Sequence, residues 1–191
     1  MLGPSHAAIG AAAAVVTAHA LGVEAVLARS IHGPAALVTA ATVAMVGPVG
    51  ALAALLPDLD EPTSTLGALL PRWWHRLTPG HRRSTHSLLA VALVGGAVRL
   101  ALGALGVNGF PLELAIAVVV VGMLSHLAAD AITDHGVPLL WPWHQHFGVK
   151  LFRTGSPLEH VVVFLVVAGT AWWALGVGQL VAAVRAGVVP V

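Results

Sequence analysis

Five apolar stretches, each long enough to cross a bilayer as a helix, constrain the fold of this chain more than any other feature of its sequence: about residues 5–23, 34–56, 86–107, 111–133 and 158–179. A hydrocarbon core of ~30 Å needs roughly 20 helical residues, and each stretch supplies them. Pro4, Pro34, Pro111 and Pro157 stand at or just before span starts, where a missing backbone N–H is tolerated. The composition agrees: with 58% hydrophobic and 9% charged residues, the 191-residue chain is too apolar for an ordinary soluble domain. The expected fold is all-α, a single domain over residues 1–191: an integral membrane bundle of about five transmembrane helices. Two long loops, Pro57–Thr85 and 134–157, lie on one side of it. Within the first, the amphipathic piece from Leu66 to Leu77 is expected to rest on the bilayer surface. Ala18-His19-Ala20 has the look of a signal-peptide cleavage site, but no Lys or Arg precedes it, so the first stretch reads as a helix.

Charge sets an expected orientation. Arg72, Arg76, Arg82, Arg83, Lys150 and Arg153 fall in the two long loops, against Arg29 and Arg185 on the other side, so the loop side is predicted to face the cytoplasm of a plasma or inner membrane. Trp73, Trp74, Trp141 and Trp143 lie near that side, and Trp172 and Trp173 lie about 20 Å down the fifth span, as two interfacial belts would. Arg99, well inside the third span, reads as snorkelling to the outer surface. A net charge of +1 argues against a nucleic-acid partner. The absence of cysteine removes disulfides and thiol chemistry.

Eleven histidines outnumber the nine Lys and Arg, and their positions are informative. His6 opens span one, Asp58 and Asp60 close span two, and His81 and His86 open span three. His126 and Asp130 close span four, while Glu159 and His160 open span five. Odd spans run one way and even spans return, so all these groups reach one membrane face. Ionisable groups at such depth are costly unless paired, hydrated or metal-bound. His126 and Asp130 are four apart and share a helix face, and Asp134 would extend it by a turn. Asp58 and Asp60 sit at a helix end whose dipole favours a cation. His19, His32, His75, His144 and His146 read as structural or interfacial, and His135 and His160 stay open. Imidazoles and carboxylates in this arrangement can share a cation; the expected ion is Zn2+, one or more, with another divalent metal as the alternative.

Four ordered blocks give the chain a resemblance to the YdjM-type family of membrane-bound metal-dependent hydrolases. They are LLPDLD (Leu55–Asp60) with Pro62, Ser64, Leu66 and Gly67; Gly80-His81-Arg82 with THSLL (Thr85–Leu89); Ser125-His126 with Asp130 and Thr133; and GVPLLWP (Gly136–Pro142). That family resembles, at a distance, the zinc-dependent phospholipase C and P1 nuclease group, helical phosphodiesterases with a His-x-x-x-Asp helix in a multinuclear zinc site. The resemblance implies that His126 and Asp130 take the helix-borne role and that Asp58, His86 and His6 supply the rest. Asp134-His135 and Glu61 depart from the family pattern, which leaves room for an extra ligand or a shifted metal preference.

The function expected from these residues is hydrolysis of a phosphoester or phosphodiester on a lipid or other amphiphile. The metal ligands would come from His6, Asp58, His81, His86, His126, Asp130 and Glu159. Asp60 would orient or deprotonate the attacking water, and Arg82, seconded by Arg83, would bind the phosphate. The expected partners are therefore membrane lipid and an amphiphilic phosphate substrate, with oligomeric state left open. Transport or sensing of a metal ion is the alternative, and a structural zinc in a membrane adaptor the third reading. The one-ended crowding of the polar groups favours the enzyme over a transporter, which would carry them near mid-membrane.

Overall fold

The structure, a computed structural model, describes residues 1–32, 34–71, 73–74, 84–143 and 145–185, the stretch 177–185 by its backbone alone. Among them there is no β-strand. The helices are α1 (Gly3–Ala20), α2 (Val23–Leu27), α3 (Ala35–Ala53), α4 (Leu88–Ala104), α5 (Phe110–Ala131) and α6 (Pro157–Arg185), with short 3-10 turns at Leu56–Asp60 and Gly67–Leu69. Each long helix covers one of the five apolar stretches. Pro4 and Pro111 lie in the first turns of α1 and α5, Pro34 is the N-cap of α3 and Pro157 begins α6. At α4 the cap is Ser87, whose hydroxyl accepts from the Ala90 amide at 3.2 Å and donates to the Ser84 carbonyl at 2.6 Å. The short helix α2 was not foreseen; it follows Gly22, whose φ of +76° lets the chain turn after α1.

Among the described residues, three stretches are long and apolar enough to cross a membrane by length and composition: Ala35–Asp60, Phe110–Ala131 and Pro157–Gly176. α4 is apolar but has only 17 residues. α1 carries His6 and His19 and is built mainly of alanine and glycine. It can be less apolar because it is the central element, packed against α3, α5 and α6, whereas α4 rests on α5.

Small residues permit that central packing, since helices in lipid associate by close van der Waals fit. A Cβ added at Gly10 would lie 2.4 Å from Ala54 Cβ and 2.5 Å from the Gly50 carbonyl oxygen. One added at Gly50 would lie 2.4 Å from Ala14 Cβ. The helices α1 and α3 are therefore as close as backbones allow, and Gly122 of α5 meets the same point, with its absent Cβ 2.8 Å from the Gly50 oxygen.

The described parts of both long loops fold back over one end of the bundle. The second is tied to the end of α5 by the Val149 amide on Ala131 O (2.8 Å) and the Leu151 amide on Ile132 O (2.9 Å), and to the start of α4 by the Leu88 amide on Leu139 O (2.9 Å). In the first, Ser64 Oγ donates to Asp58 O (2.6 Å) and Trp74 Nε1 to Leu59 O (3.1 Å), which fixes the turn carrying the two aspartates. In the Leu66–Leu77 surface piece, residues 72 and 75–77 lie outside the described residues; of the rest, Leu69 and Trp73 are exposed, as is Trp143 in the second loop. Asp134 does not continue the His126–Asp130 face. The helix stops at Ala131, and Asp134 instead donates its amide to Phe152 O and pairs its carboxylate with His135 at 2.8 Å. Arg99 pairs with Glu113 at 3.0 Å, both well exposed, a partner from the neighbouring helix that one-dimensional spacing did not reveal.

Candidate metal centre

Five of the expected ligands meet at the looped end of the bundle: His6 from the first turns of α1, Asp58 from the turn after α3, His86 just before α4, and His126 and Asp130 from the last turns of α5. They form two overlapping sets able to hold an ion, His6–His126–Asp130 and Asp58–His86–His126. The imidazoles and Asp130 are almost wholly buried, whereas 14% of the Asp58 side chain is exposed, so the cluster opens at Asp58.

Hydrogen bonds on the outer side of the cluster set the tautomers of two rings. His126 Nδ1 lies 2.6 Å from the Ala54 carbonyl oxygen, which can only accept, so the proton sits on Nδ1 and Nε2 turns a lone pair inward. His86 Nδ1 lies 3.0 Å from Thr85 Oγ1, which donates its own proton to Asp60 Oδ2 at 2.8 Å. The hydroxyl therefore accepts from His86 Nδ1–H, and the His86 Nε2 lone pair also faces the centre. This is the outer support that metal-ligating histidines require.

The two inward nitrogens are 3.2 Å apart. His86 Nε2 is 3.3 Å from Asp58 Oδ1 and 3.8 Å from Asp130 Oδ2; for His126 Nε2 the same distances are 3.6 and 3.7 Å. Asp58 Oδ1 and the two ring nitrogens thus lie 3.2–3.6 Å from one another, with Asp130 Oδ2 3.7–3.8 Å from both rings. A tetrahedral Zn2+ with bonds of ~2.0–2.1 Å would space its ligand atoms about 3.3 Å apart. The donor chemistry and the spacing both fit such an ion. His6 stacks on His126 at 3.6 Å between ring centroids, and its Nε2 is 3.3 Å from Asp130 Oδ1. Among the described residues no hydrogen-bond partner faces His6 Nδ1, although the ring is 1% exposed. Asp130 Oδ1 also receives the terminal ammonium of Met1.

Two expected residues take other places. Asp60 is buried one layer outside the donors and reaches His86 through Thr85. Glu159 is fully buried but belongs to neither donor set: Oε1 accepts the Leu2 amide and Oε2 the Gly155 amide, each at 2.8 Å. It ties the approach to α1 to the loop before α6, which is what an acid at a helix start does when backbone donors are at hand. His81 and Arg82, with Arg83, lie outside the described residues. His19 is at the far end of α1, 3.1 Å from Glu24 and edge-on to Trp173, and His160 is exposed beside Ser156 O. Sequence reading missed the roles of Thr85 and the Ala54 carbonyl. Thr85 carried a signal, a hydroxyl next to a candidate ligand; a backbone carbonyl carries none.

The model of the family described as YdjM inner membrane protein matches residues 1–189. Inner membrane protein YdjM of Escherichia coli (strain K12) is 35% identical over 130 residues, 65% of this chain and 64% of that protein. The protein of the same name in Shigella flexneri gives the same figures. The aligned part of the chain thus spans under two thirds of those relatives. The uncharacterized protein YvsG of Bacillus subtilis (strain 168) is 32% identical over 117 residues, 60% of this chain and 68% of that protein. No solved structure matches the chain.

Proposed function

The chain belongs to the YdjM inner membrane protein family, and from that premise we propose that it is a membrane-bound, zinc-dependent hydrolase of a phosphoester or phosphodiester carried by a lipid or other amphiphile. One observation carries the reading. The Nε2 lone pairs of His86 and His126 and Asp58 Oδ1 lie 3.2–3.6 Å from one another, with Asp130 Oδ2 3.7–3.8 Å from both rings, and acceptors gathered in this way in a buried place call for a cation. When bound, a Zn2+ ion supplies Lewis acidity, acidifying water and polarising a phosphoryl oxygen.

The chain's own residues provide the rest. His86, His126, Asp58 and Asp130 hold the ion, with His6 beside them as a fifth donor on the Asp130 Oδ1 side. Asp60 acts through Thr85 to keep the His86 proton on Nδ1. Substrate approaches at the Asp58 edge, where the cluster opens. Arg82 is assigned to the phosphate from its place in the sequence between His81 and His86. The site faces the cytoplasmic leaflet, as the loop charges suggest.

The near-complete burial of the donors supports a second reading, an ion held or passed on without hydrolysis. Metal analysis of the purified protein, with phosphate and headgroup release measured from vesicles of phosphatidylethanolamine, phosphatidylglycerol and cardiolipin, separates the two. Bound Zn2+ with release that is lost in Asp130→Ala and weakened in Arg82→Ala supports the hydrolase. Bound Zn2+ with no release from any vesicle, together with Zn2+ flux into liposomes, replaces it with transport.

A further inference from the structure

The second long loop carries an apolar surface at a level that the backbone fixes. α5 has 22 residues, about 33 Å at ~1.5 Å per residue, which matches a ~30 Å hydrocarbon core. Its last residue, Ala131, therefore stands at the boundary of the bilayer. The loop is tied to that boundary on both sides. Val149 donates its amide to Ala131 O at 2.8 Å and Leu151 to Ile132 O at 2.9 Å, while Leu139 O accepts the Leu88 amide, at the start of α4, at 2.9 Å. Residues 139–140 and 149–151 are thus level with the ends of two apolar helices.

Large apolar side chains stand exposed at this level: Leu140 at 45%, Trp143 at 70%, Val149 at 68% and Leu151 at 63%. The next residue, Phe152, turns inward and packs with Met1 and Ala129, so the segment is seated on the bundle while its neighbours face out. Two cations stand among them. Lys150 and Arg153 are exposed, and neither pairs with an acid among the described residues. The one acid between residues 134 and 157, Asp134, has its carboxylate on His135 at 2.8 Å.

We infer that this loop is a collar in the headgroup layer of the leaflet at the site's end. Leu140, Trp143, Val149 and Leu151 enter the upper acyl region, and Lys150 and Arg153 hold anionic phospholipid headgroups. Depth and charge together name the occupant. A water-soluble partner reaches side chains level with the ends of membrane-spanning helices only by displacing lipid, whereas lipid is already there. Tryptophan and aliphatic side chains partition into that layer, and each Lys or Arg beside it favours an anionic surface by about fivefold in binding. Asp130 immediately precedes Ala131, so the collar stands beside the metal donors. The inference holds whether or not the centre hydrolyses what is gathered there.

The chain has no cysteine, so nitroxides can be placed singly at Trp143→Cys, Val149→Cys and Leu151→Cys of the full chain, in nanodiscs of equal phosphatidylcholine and phosphatidylglycerol. Power-saturation EPR compares collisions with O2, which concentrates among acyl chains, and with water-soluble Ni-EDDA. All three labels are expected to favour O2. Native mass spectrometry after mild detergent extraction counts the retained lipids, and phosphatidylglycerol should exceed phosphatidylcholine. Lys150→Asn with Arg153→Gln should cut that excess at least fivefold at an unchanged unfolding temperature; asparagine suits position 150, where φ is 54°, because it tolerates left-handed backbone. Labels reached freely by Ni-EDDA would put the loop in water, and labels reached by neither reagent would put a protein surface, such as a second copy, over it. Either result overturns the inference. Equal retention of the two lipids, or an excess that survives the double substitution, overturns the selection of anionic headgroups. If the double variant does not fold, the label depths and the lipid count of the unaltered chain decide.

Discussion

Each ring at the centre is held by a different kind of partner, and the differences grade what substitution will do. Asp130 faces the cluster with both oxygens, toward His6 with one and toward His86 and His126 with the other. Asp130→Ala should abolish bound metal in the purified protein. Thr85 touches no ion in the proposed centre; it only orients His86. Thr85→Val should therefore keep the metal but weaken its affinity by ~10–100-fold, the usual cost of losing an outer partner, measured by chelator competition. Glu159 separates a ligand role from a scaffolding one. Because it binds the Leu2 and Gly155 amides and the Ser5 side chain, Glu159→Gln should lower stability by about 1–3 kcal/mol, since one buried donor would face an NH2 group. Thermal unfolding in detergent reads this, with metal content unchanged at saturating Zn2+. The donors His126, Asp130, Asp58 and His86 were legible in the sequence because helix ends alternate across a membrane. Glu159 stood at the same level, but sequence spacing gives depth and not direction, and could not tell that backbone donors would claim it.

Helix by helix, apolar length located the five long elements to within a few residues at most ends, and the prolines marked their starts. What length could not give was their order of centrality. The least apolar long helix, α1, lies in the middle, because alanine and glycine trade hydropathy for close approach. Gly50 is where this matters most, since its absent Cβ would meet Ala14 Cβ at 2.4 Å and the Gly10 oxygen at 2.5 Å. Gly50→Ala must push α1 from α3, and forced shifts of this kind cost about 1–3 kcal/mol. Because His6 rides on α1 and Asp58 follows α3, the same substitution should weaken Zn2+ binding although no ligand is touched. A fall in both unfolding temperature and metal affinity is expected; an unfolding temperature equal to that of the unaltered chain would show that the helices are not in contact.

For the molecule as a whole, the loop charges predict that residues 60–71 lie in the cytoplasm, and reporter fusions on that segment, checked by labelling of single introduced cysteines, test it. An ion in the proposed centre, shared by α1, α5 and the turns beside α3 and α4, would also tie the bundle together, so chelation should lower its stability. At a hundredfold excess of Zn2+ over its dissociation constant the expected loss on removal is about 2.7 kcal/mol, read as a fall in unfolding temperature reversed by added Zn2+. Both three-donor sets contain His126, while His6, Asp58 and His86 precede it by 40 residues or more. During synthesis, then, the earlier ligands enter the bilayer without a complete site, and none exists until α5 has left the ribosome and inserted. In the proposed centre, metal capture would therefore come late in synthesis, and a nascent chain stalled after α4 would lack His126 and Asp130 and with them both donor sets.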